Sequence, residues 1–218
     1  VDETIKAIKS HGFSCVQLDV SFKDCDATKG QLNHQTAVEI RNKFRDANLP
    51  IIAISSYTNF IHPNPVIRKQ NIESLKTMIK YAHDLGSSYV CSETGTYNED
   101  SDWVWNDRNG TEAVYQETLG IIRDIVSYAE DQGVTFLVEN YVNNVIGSVE
   151  QVARMFNEID SKNIGLICDP TNYFKDDNIG NMDAELEKIF AQLAPYMRIA
   201  HAKDCKLAED VSEKHAAI

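Results

Sequence analysis

The chain has 218 residues, 43% of them hydrophobic, which suits one α/β barrel with a sizeable core, so 1–218 reads as a single domain. Lys and Arg number 21 against 33 Asp and Glu, and the net charge of -12 repels a phosphate backbone and argues against a nucleic-acid partner. No run approaches the about 18 consecutive apolar residues of a membrane span, and no basic segment precedes a short apolar one; membrane and signal peptide are both disfavoured, and the expected location is cytoplasmic.

In chain order, Val1 opens inside a helical-looking stretch without an initiator Met. Six short apolar runs follow: "FSCVQLD" (13–19), "PIIAISS" (50–56), "SSYVCSE" (87–93), "VTFLVEN" (134–140), "NIGLICD" (163–169) and "MRIAHAK" (197–203). Their length and near-continuous hydrophobicity predict strands buried on both faces, as in a parallel sheet. Between them the period becomes helical. Ile72, Leu75, Ile79 and Ala82 form one stripe, Tyr115, Leu119, Ile122, Val126 and Ala129 a second, and Val149, Val152, Phe156 and Ile159 a third. Ser148 with Gln151 predicts a capping-box start, and Gly86 and Gly133 fall where helices should stop. The five cysteines are odd in number and form no C-x-x-C pair, which argues against disulfides or a thiolate zinc site; Cys15, Cys91 and Cys168 read as core residues of strands.

Strict alternation of strand and helix fits a doubly wound sheet or a TIM barrel, and both place their sites at the carboxyl ends of strands. No strand is followed by G-x-G-x-x-G, which favours the (β/α)8 barrel. Such a barrel needs about eight strands, and nothing strand-like follows Lys203. The first and last strands are therefore expected to be missing, and the chain incomplete at both ends.

The strand ends carry Asp19, Ser55 and Ser56, Glu93, Glu139, Asp169 and His201. Glu139, Asp169 and His201 close three successive strands and offer two carboxylates and an imidazole to one point. That is a ligand set for a divalent metal, suited to Mn²⁺, Mg²⁺ or Co²⁺ and open to Zn²⁺. An ion-paired strand-end network without metal has the same composition.

"GVTFLVEN", "NIGLICDPTNYF" and "RIAHAKD" resemble the xylose isomerase-like TIM barrels, the sugar (phosphate) isomerase/epimerase group. "HGFSCVQLD", "ANLPIIAISS" and "RKQNIESLKTMIKYAHDLGSSYVCSETGT" resemble earlier βα units of the same family. The resemblance implies metal ligands at Glu139, Asp169 and His201, with no counterpart of the family's strand-eight Glu. It implies Mn²⁺ as the first-choice metal and proton transfer through a cis-enediolate. Glu139 would be a catalytic carboxylate as well as a ligand, Lys203 a catalytic cation towards enediolate charge, and Asn172 a substrate contact where several relatives use His.

Other residues carry two readings each. Glu93 lines the substrate pocket or caps the next loop. His62, in a Pro-Asn-Pro setting, binds substrate or serves a turn. Trp103 and Trp105 form an aromatic wall, with Trp105 the substrate candidate, or anchor their loop. His11, His34 and His83 fall on helices and His215 in the tail. The expected activity is that of a sugar or sugar-phosphate isomerase/epimerase on a small carbohydrate, with homo-oligomerisation compatible. The alternatives are an inosose dehydratase-like lyase, a non-catalytic sugar-binding homologue and, against the acidic charge, an endonuclease-like zinc hydrolase.

Overall fold

A computed structural model describes residues 1–175, 177–207 and 214–217. Strands β1 (Val16–Asp19), β2 (Ile51–Ser55), β3 (Tyr89–Glu93), β4 (Thr135–Glu139), β5 (Ile164–Cys168) and β6 (Met197–Ala200) pair in parallel and in chain order. Helices α1 (Asp2–Ser10), α2 (His34–Asp46), α3 (Pro65–Leu85), α4 (Glu112–Asp131), α5 (Val149–Glu158) and α6 (Met182–Leu193) alternate with them.

Sequence chemistry explains the helix ends. Asn64 caps α3 with Pro65 in the first turn, where the missing N–H costs nothing, and Gly86 ends it at φ 90°. Ser148 and Gln151 form a reciprocal capping box on α5, as the sequence predicts. The stripes at Leu75, Ile79 and Ala82 and at Leu119, Ile122 and Val126 are buried in the main core, between helices and sheet.

Strand alternation then assigns the two faces of the sheet. Val90, Phe136, Val138, Leu166 and Cys168 face the helices. Cys91, Leu137 and Ile167, with Ile199 packed against them, make a separate small cluster on the inner face. Two residues further along each strand direction stand Glu93, Glu139, Asp169 and His201, so the apolar cluster is the floor of the site above it. The sheet curls strongly: Oε1 of Gln17, on β1, lies 2.9 Å from Nε2 of His201, just beyond β6. A flat open sheet cannot bring its two edge strands together, so this is the wall of a barrel.

Three sequence readings change. The first strand begins at Val16, and Phe13 is 63% exposed because Gly12 (φ 79°) turns the chain ahead of the sheet. Cys15 is consequently exposed and not a core residue. Strand structure does follow Lys203: β7 (Asp204–Leu207) and β8 (Lys214–Ala217) pair antiparallel in a sheet separate from the parallel one. His215 falls on β8, and its side chain lies outside the described residues.

Candidate metal centre

Glu139 is the last residue of β4, 3% exposed. Asp169 directly follows β5, is fully buried, and caps the short turn Pro170–Tyr173 by accepting from the Thr171 backbone N–H at 3.2 Å and its hydroxyl at 2.7 Å. Pro170 starts that turn because its ring already holds the needed backbone angle. His201 extends β6 by donating its backbone N–H to the Cys168 carbonyl at 2.9 Å.

These elements bring together the three residues singled out from the sequence. Nδ1 of His201 stands 3.4 Å from Oε1 of Glu139 and 3.6 Å from Oδ2 of Asp169, and one ligand atom from each residue lies within 4.8 Å of the others. Donors on one divalent ion, with bonds of about 2.1 Å, sit roughly 3 to 4 Å apart, a range that both distances from His201 meet. The outer contacts fit as well, because the second ring nitrogen of His201 is bonded to Gln17.

Electrostatics follow from the crowding of charge. The Asp169 and Glu139 carboxylates facing Nδ1 push His201 up to about 9, outweighing its partial burial. Burial works against the Asp169 carboxylate, yet the facing His201 ring and hydrogen bonds from Lys203 and Thr171 hold it down at about 2. Glu93 is pushed up to about 8, by burial first and by the neighbouring charge of Glu139 second. Glu93 and Glu139 are direct register partners on adjacent strands, which explains their coupling.

Above the centre opens a cavity of about 720 Å³ whose lining includes Glu93, Trp103, Glu139, Tyr141, Asn172 and Lys203. Asn172 donates to Oε1 of Glu139 at 3.0 Å, and Lys203 is ion-paired with Asp169. Trp103 meets Tyr141 edge-to-face at 5.6 Å between centroids. Trp105 does not line this cavity; its ring lies against Gly110, so the wall residue of this loop is Trp103. His62 does not line it either. It is 6% exposed, its Nδ1 accepts from the Asn64 N–H at 3.1 Å and its carbonyl accepts from Arg68 at 2.7 Å, which makes it a turn residue. His11 ends α1, while His34 and His83 lie on α2 and α3, away from the cavity.

Two residues at the centre were not singled out from the sequence. Tyr57, just past β2, donates its hydroxyl to Oε2 of Glu139, and Gln17 bonds both Tyr57 and His201. The only sequence signal for Gln17 is a polar residue interrupting the apolar run "CVQLDV".

The model of the xylose isomerase-like TIM barrel matches residues 5–218. The chain belongs to this family. Solved xylose isomerase-like barrels share its fold. A TIM-barrel protein from Mycobacterium smegmatis in complex with magnesium is 16% identical, with TM-score 0.69 over 99% of this chain and 71% of that one. A probable 3-DHS dehydratase from Bacillus anthracis is 18% identical, with TM-score 0.70 over 96% of this chain and 69% of that one. A 3-keto-D-glucoside 4-epimerase from E. coli is 13% identical, with TM-score 0.70 over 93% and 73%. No curated protein sequence matches the chain.

Proposed function

We propose that this xylose isomerase-like barrel is a metal-dependent sugar or sugar-phosphate isomerase/epimerase that moves a proton next to a ketose carbonyl through a cis-enediolate. The observation that carries this reading is the convergence of Glu139, Asp169 and His201 within 4.8 Å at the foot of an open, aromatic-walled cavity. A 4-epimerase with the same fold supports the substrate class. Those three residues would hold the metal, with Mn²⁺ the first candidate and Mg²⁺, Co²⁺ or Zn²⁺ compatible with the same donors. When bound, the metal supplies Lewis-acid stabilisation of negative charge on substrate oxygens.

The remaining chemistry belongs to the chain. Glu139 takes the proton from the carbon beside the carbonyl; the C–H electron pair becomes the enediolate double bond, and the former carbonyl oxygen takes the negative charge. Asn172 and Tyr57 each donate to one oxygen of Glu139 and fix the carboxylate plane. Lys203 lines the cavity and offers its ammonium to the enediolate charge. Trp103 and Tyr141 give the sugar ring apolar faces to lie against and exclude water.

A lyase reading is favoured by one observation: Glu93 lines the cavity as the register partner of Glu139, where burial first and that neighbouring charge second raise its carboxyl pKa and would suit it to protonate a departing hydroxyl. A dehydratase with this fold is consistent with it. Incubation with ketoses and with inososes in D2O, followed by NMR, tests both. The isomerase/epimerase reading expects deuterium beside the ketose carbonyl and an isomerised or epimerised product, both lost in Glu139→Gln. Loss of water from an inosose with no exchange into ketoses would instead establish the lyase.

A further inference from the structure

Gln17 projects to the inner face from β1, and its amide is committed at both ends. Oε1 faces Nε2 of His201 at 2.9 Å. The NH2 group faces three acceptors: the Tyr57 hydroxyl at 3.0 Å, Oγ of Ser55 at 3.1 Å and Sγ of Cys91 at 3.4 Å. The neighbours set which way round the amide sits. Tyr57 uses its hydroxyl hydrogen on Glu139, and the Cys91 thiol uses its hydrogen on the Ile54 carbonyl at 3.2 Å, so of the three only Ser55 could donate to an oxygen placed there, whereas all three accept from the NH2 group. The oxygen therefore faces His201, and it requires a proton on Nε2. A neutral imidazole with its proton on Nε2 has its lone pair on Nδ1. Nδ1 is the nitrogen 3.4 Å from Glu139 and 3.6 Å from Asp169.

We propose that Gln17 is a positioning residue of the metal centre, selecting the His201 tautomer that presents Nδ1 to the metal while aiming the Tyr57 hydroxyl at Glu139. The proposal rests on the reading of Glu139, Asp169 and His201 as metal ligands. The chain of bonds is directional: His201 donates to Gln17, Gln17 donates to Tyr57, and Tyr57 donates to Glu139. An amide NH2 has no lone pair to offer, so the Tyr57 hydrogen cannot turn back and stays on the carboxylate. One side chain thus sets two of the three ligands from the opposite edge of the sheet. Outer partners of this kind orient a ligating imidazole and fix its tautomer, and their loss costs about 10- to 100-fold in metal affinity.

The test compares native protein, Gln17→Met and Gln17→Glu by Mn²⁺ titration, with circular dichroism confirming the fold. Met keeps the length of Gln without donor or acceptor; Glu restores the acceptor for His201. The expected result is Mn²⁺ binding about 10- to 100-fold weaker in Gln17→Met and partly restored in Gln17→Glu, which regains the acceptor for His201 but not the donor to Tyr57. Native affinity in Gln17→Met would overturn the proposal. Imidazole ¹⁵N spectra of native protein and Gln17→Met, recorded metal-free with the imidazole neutral, compare the tautomer with and without Gln17 against the same facing carboxylates and independently of metal uptake. A shift of the proton from Nε2 towards Nδ1 on going from native to Gln17→Met supports the role of Gln17 even if Mn²⁺ does not bind, in which case the metal reading alone fails; the same tautomer distribution in both overturns it.

Discussion

The Lys203 ammonium is paired with Oδ2 of Asp169, the same carboxylate oxygen that faces Nδ1 of His201 at 3.6 Å. A fully buried carboxylate needs a compensating charge, and in the metal-free chain Lys203 and His201 provide it. A metal that ligates Asp169 through this oxygen competes with Lys203 for it. Lys203→Met is therefore expected to move two observables in opposite directions. Metal-free stability should fall by about 1 kcal/mol, a small value because the Lys203 side chain is 45% exposed, while Mn²⁺ affinity rises. Denaturant melts and metal titration on one preparation check both; weaker metal binding would contradict the competition.

The pH dependence of the metal-free chain follows from two raised groups. His201, moved from 6.5 to about 9, contributes stability that is complete below 6.5 and lost as pH rises through 9. Glu93, moved from 4.5 to about 8, also binds its proton more tightly in the folded state, so ionising it costs stability between those values. Asp169 acts in the opposite sense: its contribution is present above 3.8 and lost as pH falls through about 2. The melting temperature should therefore decline from pH 4.5 to 9, and Glu93→Gln should flatten the part of the decline below 8. Because metal uptake displaces the His201 proton, Mn²⁺ affinity should rise with pH up to about 9, with proton release measurable in weakly buffered solution.

Gly95 joins the cavity loops to the scaffold. It sits at φ 82°, and a Cβ there would lie 2.2 Å from Oδ1 of Asn59, a side chain 1% exposed that holds Ile61 N–H and the Thr96 carbonyl. Gly95→Ala is expected to cost about 3 kcal/mol, read from urea denaturation, since neither the backbone angle nor the buried amide can yield.

Trp103 and Trp105 separate the cavity wall from the rest of the loop. Trp103→Ala should raise KM for a ketose substrate by about tenfold through lost ring contact, and Trp105→Ala should leave KM within about twofold. Steady-state kinetics on both variants decide between them; equal effects would remove Trp103 from the wall.

Much of this arrangement was legible in the residues. Glu139, Asp169 and His201 each end an apolar run, and a parallel barrel delivers the ends of its strands to one mouth, so their meeting follows from periodicity. The helix limits at Ser148 and Gly86 follow from capping chemistry. What escaped was set by tertiary contact. Gln17 matters because the sheet curls until β1 reaches the end of β6, a contact across 184 residues that no local pattern encodes. Tyr57 is a single aromatic beyond β2 whose partner lies two strands away. Trp103 and Trp105 are two residues apart in an irregular loop, where no period says which ring faces the cavity. His62 is a turn residue because Asn64 and Arg68 take its polar atoms, a local outcome that its Pro-Asn-Pro setting already suggests.

The central claim is that Glu139, Asp169 and His201 hold one divalent cation, and its most direct test is Mn²⁺ titration followed by electron paramagnetic resonance. The native chain should bind one Mn²⁺ per molecule with imidazole nitrogen coupling to the metal. Glu139→Gln, Asp169→Asn and His201→Ala should each retain the fold and lose affinity by about 100-fold or more. Stoichiometric binding that survives all three substitutions unchanged would contradict the account.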